Sequence, residues 1–163
     1  MPGLLTKPLI THLRQHFALD WQGLHGVPHW SRVRANGLRL AEITGAHAGV
    51  VELFAFLHDV CRENEDADPG HGLRAADLAR RLRGRFFELP DEPFGWLVSA
   101  CSGHSDGLVE AEHVTVLTCW DADRLDLGRV GIQPRLTKLC TPAARDPVMM
   151  EFAYRQSVRG ERD

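Results

Sequence analysis

Apolar residues recur at three- and four-residue spacing along most of this chain, while alternating, β-branched-rich runs of strand length are scarce. A stripe with that period can turn inward only on an α-helix, so the spacing predicts an all-α fold of six to seven helices. The helix boundaries follow from Pro and Gly punctuation. A first helix is expected over about Pro8–Leu19. A second starts near Pro28, whose fixed φ suits a first turn, and runs toward Thr44. The third spans Val50 to about Arg62, and a polar loop follows it to Pro69-Gly70. The fourth runs from His71 to Arg83 with Gly84 as its stop, and the fifth follows Pro90–Pro93 and extends to His104. The sixth includes Val114 to Trp120 and carries Asp121, Asp123 and Asp126 at its far end. Residues 131–141 are a loop or short helical turn, and a last helix, over about 147–160, packs on the rest.

At 163 residues the chain is long enough for one domain with a well-buried core, and no repeat, low-complexity tract or linker divides it. It lacks both an apolar run of 18 residues and the apolar core of a signal peptide. These absences predict no membrane partner and a cytoplasmic location. The net charge of -3, with acids and bases mixed, predicts no nucleic-acid partner. The basic cluster Arg80-Arg81-Leu82-Arg83-Gly84-Arg85 suits a solvated helix C-terminus, with contact to an anionic partner as the other reading. Cys61, Cys101, Cys119 and Cys140 form no Cys-x-x-Cys pair and are expected as reduced, buried thiols.

Nine histidines are unusual for this length, and His58-Asp59 is the most informative place to find one. The doublet lies at the end of the apolar run Val50–Leu57. A neutral imidazole and a carboxylate are both costly to bury alone and are both good ligands for divalent first-row metals. Adjacent residues on a helix point about 100° apart, so the pair must straddle an ion at the helix edge. Other helices must then complete the shell, and His29, His71, His104 and Asp123 stand near helix ends where a bundle can bring them together. His25 lies one helical turn before His29, and spacing alone does not choose between them. Asp121 and Asp126 are likewise alternatives to Asp123. His12, His16, His47 and His113 have no partner motif and are expected at the surface or in packing, with Trp30, Trp96 and Trp120 in the core.

These segments, in this order, resemble the HD-domain metal-dependent phosphohydrolase superfamily over roughly residues 21–128. His29-Trp30-Ser31-Arg32-Val33 looks like the segment bearing that family's first His. Phe56-Leu57-His58-Asp59-Val60 matches its signature doublet, and Ala122-Asp123-Arg124-Leu125 resembles its closing Ala-Asp-x-Leu motif. The resemblance implies His29, His58, Asp59 and Asp123 as ligands of one ion. His71 and His104 resemble the two further histidines with which some members hold a second. The segment from Asp59 to His71 lacks the Gly-Lys that commonly follows the doublet in two-metal members, and no Gly-Tyr-Pro signature of the cyclic-dinucleotide phosphodiesterases is present.

The activity implied is hydrolysis of a phosphomonoester or phosphodiester, with nucleotides among the candidates, by a metal-activated hydroxide. The substrate is then a small phosphorylated molecule. The mixed His/carboxylate set suits Mn, Fe, Co, Ni or Zn better than Mg or Ca. Arg62 and Arg124 are candidates to neutralise phosphoryl oxygens, and Glu63, four residues after Asp59, is a candidate proton acceptor if the third helix persists that far. The rival readings are an HD-fold di-iron oxygenase and a non-catalytic domain that binds a metal or nucleotide.

Overall fold

The computed structural model describes residues 3–159, so the chain ends expected in the domain, 1–2 and 160–163, lie outside it. Among the described residues the regular structure is all helical, with one isolated bridge between Arg83 and Phe87. The described residues form eight α-helices: α1 (Lys7–His16), α2 (Val27–Thr44), α3 (Ala48–Leu57), α4 (His71–Leu82), α5 (Asp91–Gly103), α6 (Val114–Arg124), α7 (Pro142–Arg145) and α8 (Pro147–Arg159). A short 3-10 turn at Leu136–Lys138 falls in the segment 131–141 expected as a loop or short helical turn, and another at Leu127–Val130 precedes it. None of the described helices is long and apolar enough to cross a membrane.

Helix α3 is buried on nearly every side, from Val50 and Val51 through Leu53–Leu57, which makes it the central rod. Helix α2 packs along α3 and α6, α4 pairs with α5, and α8 closes against α2, α7 and the turn at 127–130. Local chemistry sets the ends. Thr6 accepts a hydrogen bond from Leu9 N at the start of α1, and Gly45, at φ 77°, ends α2 in the left-handed conformation that costs glycine least. His47 and His113, expected as surface or packing residues, cap α3 and α6 by accepting from Val50 N and Thr115 N through Nδ1.

Three boundaries differ from expectation. Helix α1 stops at His16 rather than Leu19, and α7 forms where Pro142 and a Thr141 cap start one short turn. The third difference matters most: α3 ends at Leu57, not Arg62. His58 is its C-cap, and the chain leaves through tight turns in which Val60 N donates to Leu57 O and Arg62 N to Asp59 O. The loop beyond is tied down by Asp68, which accepts from Glu63 N and from Arg74 of α4. These side-chain and turn bonds compete with further helix and win.

Two glycines let the helices approach closely enough to bring their polar ends together. A Cβ on Gly37 would lie 2.4 Å from Val51 Cγ1, where α2 crosses α3. A Cβ on Gly72 would lie 2.6 Å from the Cys101 carbonyl oxygen and 3.1 Å from that of Ser102, where α4 meets α5. Backbone cannot swing aside, so Gly72→Ala must push α4 from α5 and is expected to lower stability by about 1–3 kcal/mol. Gly95, also on α5, has nothing within 4 Å of its would-be Cβ. Gly95→Ala should therefore raise stability by roughly 0.5–1 kcal/mol through helix propensity alone. Thermal unfolding of the two variants checks this, and shifts of the same sign would contradict the packing described.

Candidate metal centre

Helix α2 delivers His29 in its first turn, α3 delivers His58 at its end with Asp59 in the turn beyond, and α6 delivers Asp123. All four converge. His29 Nε2 lies 3.1 Å from His58 Nε2, 3.5 Å from Asp59 Oδ2 and 3.2 Å from Asp123 Oδ1. His58 Nε2 is 3.4 Å from Asp59 Oδ2 and 3.5 Å from Asp123 Oδ1. The other oxygen of the same aspartate faces a second set: Asp59 Oδ1 is 3.2 Å from His71 Nε2 and 3.4 Å from His104 Nε2, which are themselves 2.8 Å apart. His71 opens α4 and His104 caps α5. Around an ion with bonds of about 2.1 Å, ligand atoms lie about 3.0 Å apart at a right angle and about 3.4 Å apart at a tetrahedral angle. Both sets have that spacing.

Hydrogen bonding fixes which ring atom faces inward. His29 Nδ1 donates to Asp126 Oδ2 at 2.6 Å, and His58 Nδ1 donates to the Phe54 and Ala55 carbonyls at 3.1 Å. His71 Nδ1 donates to Asp68 O, and His104 Nδ1 to Cys101 O at 2.8 Å. Every one of these partners is an acceptor, so each Nδ1 carries a proton and each Nε2 faces its neighbour, where a lone pair is free to bind an ion once no proton occupies it. Lone pairs at such distances repel unless a cation stands among them. The site is also too well buried for water to relieve this, with His29 and His58 0% exposed, Asp59 4%, His71 3% and His104 5%. Two buried triads, His29-His58-Asp59 and Asp59-His71-His104, can therefore each hold a metal ion. Asp123, 19% exposed at its side chain, is the more open edge.

The titration behaviour of the metal-free protein expresses the same demand for positive charge. Burial disfavours charge on His29, as does Arg129, yet Asp123, Asp126 and Asp59 together push its pKa up to about 10. Burial also disfavours the Asp59 and Asp123 carboxylates. The surrounding imidazoles, His58 first for Asp59 and His29 first for Asp123, outweigh that and hold both well below the usual carboxylate range. A proton shared among these groups does an ion's work when no ion is there.

Of the other expected residues, Arg62 is brought close and two are not. Arg62 Nε stands 3.5 Å from Asp59 Oδ1, buried and without a hydrogen-bond partner, while Nη1 donates to Asn64 O and Asp66 O. Glu63 loses the helical register with Asp59 because α3 has already ended; its side chain is 73% exposed and 3.8 Å from Arg74 Nε. Arg124 is held elsewhere, donating to Lys138 O and Cys140 Sγ. His25 stays out of the ligand cluster and pairs through Nδ1 with Glu65. Asp121 instead accepts from Cys140 N, Thr141 N and Thr141 Oγ1, pinning the C-terminal segment.

Asp126 was an alternative ligand by sequence and stands one step behind instead. Wholly buried, it orients His29 and is neutralised by Arg32 Nε at 2.7 Å. Such a carboxylate behind a ligating imidazole fixes its tautomer and raises its basicity. The available signal was spacing: Asp126 follows Asp123 by three residues, and Arg32 follows His29 by three.

No family model, curated protein or solved structure matches the chain.

The raised pKa of His29 has a measurable consequence. Protonated His29 stabilises the metal-free fold fully below its unfolded pKa of about 6.5, and that contribution is lost as pH rises through about 10. An ion entering the His29-His58-Asp59 set near pH 7 must displace that proton. Calorimetric titration with Zn or Mn in buffers of different ionisation enthalpy should show about one proton released per chain for the first ion, and an apparent affinity that climbs with pH. A binding heat independent of buffer would contradict the assignment.

Proposed function

We propose that this chain is a metal-dependent phosphohydrolase of the HD-domain type, acting on a small phosphomonoester or phosphodiester, nucleotides included. The observation that carries the reading is Asp59, whose two oxygens each face a separate imidazole pair. A carboxylate so placed supports a two-ion centre of Mn, Fe, Co, Ni or Zn. The Asp59-His71-His104 set supplies only three protein ligands, which leaves positions for water and substrate as catalytic rather than structural sites do. Bound ions would supply a nucleophilic water at neutral pH and Lewis-acid stabilisation of charge on the phosphoryl oxygens.

The chain's own groups have separable tasks. Asp126, held by Arg32, keeps the His29 proton on Nδ1 and its Nε2 free for the ion. Arg62 offers an unpaired Nε beside Asp59, where a guanidinium can meet a non-bridging phosphoryl oxygen. Proton transfer falls to His25 rather than Glu63. His25 is oriented by Glu65, and burial lowers its pKa although Glu65 and then Asp59 pull the other way, so at neutral pH it is uncharged and able to take a proton.

The test is a panel of nucleotides, phosphomonoesters and phosphodiesters offered to protein loaded with Mn, Co or Ni, with bound metal measured in parallel. Asp59→Ala is expected to lose bound metal and to fall to the activity of metal-free protein. His25→Ala should keep its metal and lose about 10²- to 10⁴-fold in kcat. Undiminished metal content in Asp59→Ala would sink the reading. Oxygen consumption by the iron-loaded protein without any phosphoester cleavage would replace it with the oxygenase.

A further inference from the structure

Residues 60–63, which follow directly on Asp59, help to line a separate concavity of about 380 Å³. Its floor is Ala18 and Val60, and its walls carry His16 from the end of α1, Arg62 from the turn after the doublet, and Arg74 and Arg81 from α4. Residues 74, 77 and 81 are spaced by three and four, so one face of α4 presents them all. The volume falls in the range of small-ligand pockets and exceeds what one tetrahedral anion fills.

Its charge is unbalanced. The two carboxylates on its rim are already engaged: Asp77 pairs with Arg80 at 2.6 Å, and Glu63 faces Arg74. Arg74 is further committed to both oxygens of Asp68 at 2.7 Å and to the Cys61 carbonyl. Arg81 has no ion pair among the described residues, whereas the Arg62 Nε is buried beside Asp59 Oδ1. His16 registers the surplus: burial first, then His12 and Arg81, lower its pKa. The Cys61 thiol also lines the cleft, with Sγ 3.6 Å from His16 Nε2.

We propose that this cleft is a second anion site, selective for a phosphate group, in which Arg81 is the principal donor, His16 completes the cradle and Arg62 adds positive charge at its edge. The exposed guanidinium of Arg81 suits the planar, paired recognition of phosphate oxygens. The apolar floor leaves room for an organic body attached to that phosphate. Arg62 belongs to both sites, since its Nε also stands 3.5 Å from Asp59 Oδ1. An anion in the cleft therefore draws on the same charge that flanks the bridging carboxylate. Within the basic cluster of residues 80–85, this singles out Arg81. Arg80 is spent on Asp77, Arg83 on Leu89 O and Asp91, and Arg85 lies over the Phe86 ring.

The site is tested in protein stripped of metal with a chelator and dialysed, so the outcome does not depend on the proposed hydrolysis or on phosphate reaching an ion. Inorganic phosphate and ribose 5-phosphate are titrated while the His16 ring resonances are followed by NMR. Saturable shifts are expected, weakened at least tenfold by Arg81→Ala and further by Arg81→Glu, with partial retention in Arg81→Lys. Tighter binding of ribose 5-phosphate assigns an organic phosphate to the cleft, and equal binding assigns the free anion. Arg81 is exposed at the end of α4, and circular dichroism checks that its variants stay folded. His16 resonances that ignore both ligands, or an Arg81→Glu variant that binds like its parent, would overturn the proposal.

Discussion

The structure depends on the sharing of one carboxylate. Asp59 presents Oδ2 to His29 and His58 and Oδ1 to His71 and His104, so a single residue at the end of the central helix ties three other helices, α2, α4 and α5, to it at one point. Four imidazoles with their protons turned outward and two carboxylates with depressed pKa values make a cavity that repels itself without a cation. Such a cluster is unfavourable to bury unless a proton or a metal ion compensates it, and the favourable packing of α3 must bear that cost in the metal-free protein. Ion binding and fold stability are then one equilibrium seen from two sides.

The surrounding fold is arranged to hold those groups against their repulsion. The histidine Nδ1 atoms are anchored to backbone carbonyls or to Asp126, and two of those carbonyls, of Ala55 and Cys101, lie in the last turns of their helices, where carbonyls lack intrahelical partners. Gly72 sits next to His71 and touches the backbone that precedes His104, so a missing side chain sets the spacing of the second imidazole pair. Packing at the crossing and chemistry at the centre are the same geometric fact.

Much of this was legible in the residues. The 3- and 4-residue apolar period foretold an all-helical chain, and the placement of His and Asp near helix ends narrowed the side chains that could meet, with the resemblance choosing among them. What escaped was set by tertiary competition. The period of α3 continues past Leu57 on paper, but the turn bonds of Val60 and Arg62 and the Asp68-Arg74 clamp end the helix there, which removes Glu63 from the register expected of it. The choices between His25 and His29 and between Asp123 and Asp126 also needed three dimensions. Each pair lies a helical turn or less apart, and the structure gives both members work: one in the ligand set, the other pairing with Glu65 or orienting His29.

The resulting picture is of two adjoining charge traps of opposite character, one acidic and imidazole-lined for cations, one guanidinium-lined for anions, with Arg62 between them. X-ray absorption at the metal edge of protein loaded with manganese or zinc examines the first of these most directly. The account predicts a shell rich in imidazole nitrogen with carboxylate oxygen, and a metal–metal vector across Asp59 when two equivalents are bound. An all-oxygen shell without imidazole scattering would contradict it.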